Sequence, residues 1–132
     1  MTLAIEQALI QHFIDAEFGL PIAYENGDYD ATDGNAYAEL NTFINDVTAF
    51  SLNDNDQTDG YLQIILRYPE GGYSIDAKTM ADTILSEYKI GQRLTYSGQK
   101  ITINRKSIAQ GANESGWYKL VLRVFFTAVL PR

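Results

Sequence analysis

Cysteine is absent from this chain, and with it go disulfides, thiolate zinc sites, iron–sulfur clusters and cysteine nucleophiles. Long apolar runs are missing as well. Stretches such as Val124–Phe126 and Ala128–Leu130 fall far short of the roughly 18 residues that a membrane-spanning helix needs. Residues 1–18 carry Glu6, Asp15 and Glu17 but neither Lys nor Arg, so they do not read as a secretory signal. Histidine occurs once, at His12 beside Phe13, in a helical stretch where packing or surface exposure explains it better than general-base work. No G-x-S-x-G, H-E-x-x-H, P-loop or dinucleotide fingerprint occurs, and Gly71–Gly72 lacks the surroundings of a phosphate-binding loop. With 17 acids, carboxylate pairs arise in any arrangement and indicate no acid–base chemistry by themselves. These absences argue against an enzyme and imply no cofactor; a hydrolase with an acidic dyad is the third-ranked reading.

The most informative lack is of one sign of charge. No Lys or Arg precedes Arg67. Residues 1–66 hold 12 acids and no base, whereas residues 67–132 hold 5 acids and 10 bases; the halves, −12 and +5, return the overall −7. Such asymmetry points to interactions. An acidic surface and a basic surface on one subunit suit a head-to-tail contact between copies, in which one patch meets a different patch on the neighbour. Neutralisation of the two halves within one subunit is the alternative.

The chain itself has 132 residues, 45% hydrophobic and 20% charged, an ordinary globular composition. That length suits one domain, residues 1–132, with a core large enough to need no staples. Residues 3–17 read as a helix capped by Thr2, with Leu3, Ile10, Phe13 and Glu17 on one face and Ile5, Leu9 and Ile14 broadening the stripe; Gly19 and Pro21 end it. Ile22–Glu25 is short and extended, and Asn26–Asn35 is an Asp- and Gly-rich loop. Tyr37–Val47 alternates as a strand, Ser51–Gly60 is a polar loop joining two antiparallel strands, and Tyr61–Tyr68 is a strand with Leu62, Ile64 and Leu66 on one side. After a turn at Pro69–Tyr73, a helix runs from Ser74 to Tyr88 with Ala77, Ala81, Ile84, Leu85 and Tyr88 facing a core. Strands Arg93–Tyr96 and Lys100–Ile108 turn through Gly98; Gln110–Gly116 is a loop, and Trp117–Thr127 is the last strand. The order α-β-β-β-α-β-β-β predicts an α+β fold, a single mostly antiparallel β-sheet with two helices packed on one face.

Two groups of charged residues are candidate sites. Asp28, Asp30 and Asp33 lie in D-x-D-x-T-D-G, and the same pattern returns at Asp54, Asp56 and Asp59. Several oxygens closely spaced in a loop are how a hard cation such as Ca²⁺ is held, and Glu39 stands at the spacing of a final ligand. Yet the glycine falls one position late and Ile65 replaces the final ligand in the second copy. Exposed turns use the same residues, so plain loops explain both copies and the Ca²⁺- or ligand-binding α+β module is the alternative function. The second group is basic: Arg93, Lys100, Arg105 and Lys106, with Lys119 and Arg123 on the last strand. The second helix carries Lys78 against Asp76, Asp82 and Glu87, which disfavours reading of duplex DNA.

Four stretches carry a family likeness: GLPIAYEN (Gly19–Asn26), GYLQIILRYPEGG (Gly60–Gly72), RLTYSGQKITIN (Arg93–Asn104) and GWYKLVLRVFF (Gly116–Phe126). In these the chain resembles the tail terminator-like proteins of long-tailed bacteriophages, over nearly its whole length. It departs from them in the proline-free, acidic stretch between Asn26 and Tyr37, so no loop contact is carried over. The resemblance implies a structural virion protein without catalysis, assembled in the host cytoplasm and resident in the virion tail. It implies a homo-oligomeric ring, commonly hexameric, at the head-proximal end of the tail tube. Such a ring ends polymerisation of the tail tube protein and offers a joining surface to a head-completion or connector protein. DNA passes through the lumen without being held, and no membrane is involved. Acidic loops would suit that passage, since each phosphate contact avoided is attraction removed.

Overall fold

Parity decides this fold. In strands Tyr61–Tyr68 and Trp117–Thr127 the even-numbered residues are aliphatic or aromatic and the odd-numbered ones mixed, so a sheet built from them has one face to bury. The computed structural model describes residues 2–24, 36–45, 48–49, 55–69, 74–96, 98–109, 111–114 and 116–131. Its elements are α1 (Thr2–Asp15), β1 (Ile22–Tyr24), β2 (Tyr37–Ile44), β3 (Thr48–Ala49), β4 (Asn55–Pro69), α2 (Ser74–Glu87), β5 (Arg93–Tyr96), β6 (Gln99–Ile108), β7 (Ala112–Glu114) and β8 (Trp117–Pro131). The sheet order is β1-β2-β4-β8-β6-β5, with β3 added to β4 and β7 to β8. Only the β1–β2 pairing is parallel among these ladders. The expected α+β architecture is therefore present, extended by two short strands.

Both helices lie on one face of the sheet. Ile5, Ala8, Leu9 and Phe13 of α1 and Ala77, Ala81 and Ile84 of α2, with Tyr88 just beyond it, join Leu62, Ile64, Leu66, Leu120, Leu122, Val124 and Phe126 in one buried cluster. The α2 face is the expected one. The α1 face is rotated from expectation: Leu3 is 62% exposed and Ile14 39%, while Ile5, Ala8, Leu9 and Phe13 form the inner stripe. The helix also stops at Asp15, before Gly19, because Glu17 takes the left-handed region at φ 52°.

Three further expectations change. The segment Ser51–Gly60 is not a loop throughout, since Asn55–Gly60 is the first part of β4 and pairs with Pro131–Phe126 of β8. Likewise Ala112–Glu114, inside the expected loop 110–116, is β7 and folds back on Lys119–Trp117. The last strand continues past Thr127 to Pro131. In each case a long neighbour supplied a ladder of backbone partners, and pairing overrode polar composition. Gly60 sits where this ladder crowds: a Cβ there would lie 2.0 Å from the Phe43 carbonyl oxygen, so only glycine lets β2 and β4 approach this closely.

Candidate interaction surface

Among the described residues no helix covers the reverse face of the sheet at its centre. The antiparallel register places Phe43 of β2 opposite Tyr61 of β4, Tyr61 opposite Phe125 of β8, and Phe125 opposite Arg105 of β6. The result is a row across four strands. Phe43 and Tyr61 stack with centroids 4.9 Å apart, Tyr61 and Phe125 are 5.3 Å apart and tilted, and the Arg105 guanidinium lies 3.9 Å from the Phe125 centroid. A guanidinium at that distance is drawn to the ring quadrupole, worth about 0.5–1 kcal/mol at an exposed site.

One rung along, Asn41, Gln63, Arg123 and Ser107 form the next row. Arg123 Nε donates to Gln63 Oε1 at 3.2 Å, and its guanidinium is 5.5 Å from the Tyr61 ring. Further along, Arg67 makes an ion pair with Glu39, tying a base of the second half of the chain to an acid of the first. Tyr37 meets Trp117 edge-on at 5.3 Å. Neutralisation within the subunit thus accounts for Arg67.

Among the basic candidates, Arg93 and Lys100 belong to the same face as Arg105. Arg93 pairs with Thr102 and Thr102 with Thr127, and these residues border a shallow groove of about 440 Å³ with Gln57 and Val129. Lys106 does not belong there. Strand alternation sends it to the helix side, where Nζ donates to the Leu85 carbonyl at 2.8 Å. His12 Nε2 donates to the Glu87 carbonyl at 2.6 Å. Two side chains thus satisfy carbonyls at the C-terminal end of α2, where unpaired acceptors and the negative end of the dipole gather. His12 also packs edge-on against Tyr88, 4.8 Å between centroids, a packing role rather than a catalytic one.

The acidic candidates fare differently. Asp28, Asp30, Asp33 and Asp54 lie outside the described residues. Asp56 is a ladder residue of β4, opposite Leu130, and Asp59 is opposite Thr127. Thr58 between them is buried, donating to the Asn45 carbonyl at 2.9 Å, while Asp59 is exposed and accepts from Asn45 Nδ2 at 2.8 Å. An extended strand sends successive side chains to opposite faces, which is how β4 buries Thr58 and exposes Asp59. Among the described residues no group of three or more His, Cys, Asp or Glu side chains is arranged to hold a metal.

Spacing does not single out Phe43, Tyr61 and Phe125, although alternation puts each on the less apolar side of its strand. What was missing was the β4–β8 register, which joins residues about sixty positions apart.

A sequence profile described as phage tail terminator protein matches residues 4–126. The chain belongs to that family. It is accordingly a structural protein of a phage tail, and so of the virion. No curated protein matches the sequence. Solved structures share the fold at low identity. One is 16% identical, covers 97% of this chain and 95% of its own, and superposes with a TM-score of 0.76. A chain from the virion of a native gene transfer agent particle is 17% identical, covers 98% of this chain and 96% of its own, and has a TM-score of 0.64.

Proposed function

We propose that this terminator-family chain forms a ring, six-fold by analogy with the group it resembles, on the head-proximal end of a phage tail tube. The ring stops addition of tail tube protein and presents a surface to head-completion proteins. The supporting observation is the extent of the family match: residues 4–126 take in both helices and the aromatic rows up to Phe126. The uncovered face has the composition of a contact surface, since aromatic residues and arginine are enriched where proteins meet. The acids of residues 1–66, unmatched by any base in that half, give DNA in the lumen nothing to hold.

The test is to add purified protein to polymerising tail tubes and follow their length and ends by negative-stain microscopy. Capped tubes that stop growing, with the protein at one end only, are the expected result. Tubes that lengthen unchanged, with bare ends, would overturn the reading.

A further inference from the structure

Two exposed surfaces of this molecule are complementary and point in opposite directions. The open sheet face carries Phe43 on β2, which is 43% exposed, and, towards its other edge, Arg123 on β8, Arg105 and Lys100 on β6 and Arg93 on β5. The acids described there are Glu39, already engaged by Arg67, and Asp59, which accepts from Asn45. On the far side of the sheet, the outer face of α1 presents Leu3 and Ile14 with Tyr24 of β1, 47% exposed, and lines a groove of about 330 Å³ that Tyr96 of β5 closes. Glu6 is the charged residue lining that groove, Asp15 and Glu17 follow at the end of the helix, and no Lys or Arg lines it.

We infer that the outer face of α1 on one copy docks on the open sheet face of the next. The inference rests on the ring-terminator reading and names the two surfaces that the ring would join. Each surface offers apolar contact area, and their charges are opposite, which sets register and partner choice in such contacts. The occupant favoured by charge is this chain itself: its α1, which carries Glu6 and Asp15 and no Lys or Arg, is the acidic, apolar partner that the basic, aromatic face fits. Because the surfaces lie on opposite sides of the sheet, one copy cannot satisfy both with the same partner in a two-fold dimer. The contact is head-to-tail, and it closes into a ring when the rotation allows.

The absence of cysteine makes the test clean. Ile14→Cys and Phe43→Cys each give a chain with one thiol. An equimolar mixture is treated with a short bis-maleimide, and the linked positions are read by peptide mapping. Native mass is measured in parallel, in multiples of the 14.8 kDa chain, and melting curves confirm that each variant folds. The expected result is a 14–43 link in the mixture and no dimer from either variant alone. Arg105→Glu with Arg123→Glu should abolish that link, and adding Glu6→Lys and Asp15→Lys should restore it. Links of 14 to 14 or 43 to 43 would overturn the inference. So would a ring that persists with Arg105→Glu and Arg123→Glu alone, an outcome that leaves the terminator reading intact. A wild-type chain that neither associates nor caps tubes would overturn both. Loss of binding to a short DNA duplex in the arginine variants, with the 14–43 link unchanged, would mark the face as a nucleic-acid surface and overturn it too.

Discussion

On the face beneath the helices, Leu62, Ile64 and Leu66 of β4 lie beside Leu120, Leu122 and Val124 of β8, each at most 2% exposed. On the reverse face of the same ladder, Tyr61, Gln63, Ile65 and Arg67 stand opposite Phe125, Arg123, Val121 and Lys119. The backbone bonding is shared, and only parity separates the two sets. The covered face gains from removal of apolar area from water, a non-directional effect for which many aliphatic choices serve. The open face is held by oriented pairs, such as a guanidinium over a ring or an amide taking a charged donor, whose net value is small. The covered face therefore carries most of the stability; the reverse face buries Tyr37 and Ile65 but leaves the row from Phe43 to Arg105 free to carry contact chemistry at little cost to the fold.

Variants separate the two roles. Phe126→Ala, on the covered face with no exposure, should cost about 3–5 kcal/mol, read as a lower midpoint in urea unfolding. A change below 1 kcal/mol would mean the covered face is not the seat of stability. Gly60→Ala should cost about 1–3 kcal/mol, because the added carbon meets the Phe43 carbonyl and backbone must move at the seam of β2 and β4.

Tyr88 gives a pH-dependent version of the same test. Its hydroxyl donates to the Leu9 carbonyl at 2.9 Å inside the core, and burial pushes its pKa well above the usual value of 10.0. The unfolded chain releases this proton above pH 10 while the folded chain retains it, so stability falls as pH rises past that point. Tyr88→Phe should cost about 0.5–1.5 kcal/mol at neutral pH and flatten the alkaline decline; a wild-type melting temperature unchanged between pH 9 and 11 would contradict this. Smallest in stability is Arg105→Ala, expected to shift unfolding by no more than about 1 kcal/mol while weakening self-association. If instead it unfolds the protein, the open face is structural and the division between faces fails.

Legibility followed the range of each interaction. The α2 stripe, the strand faces and the left-handed turn at Gly98 are local patterns, and each stands where the spacing put it. Loop boundaries failed where a distant strand intervened: Asn55–Gly60 and Ala112–Glu114 look like polar turns until β8 lies alongside them. The α1 stripe failed for a related reason. Apolar residues surround most of that helix, and only the shape of the sheet below selects Ile5, Ala8, Leu9 and Phe13 over Leu3 and Ile14. Lys106 shows the same limit at a single position, one residue from Arg105 yet on the other side of the sheet, holding the end of α2.

By itself the sequence determined the class of fold, the absence of cysteine chemistry, the division of charge at Arg67 and the family likeness, because composition, period and short motifs are properties of neighbours in the chain. Tertiary structure alone decided which strands lie side by side, and so which odd-numbered residues of β2, β4, β8 and β6 meet in the row from Phe43 to Arg105. That choice depends on ladder register between segments far apart, and a slip of one residue would have sent every one of those side chains to the opposite face.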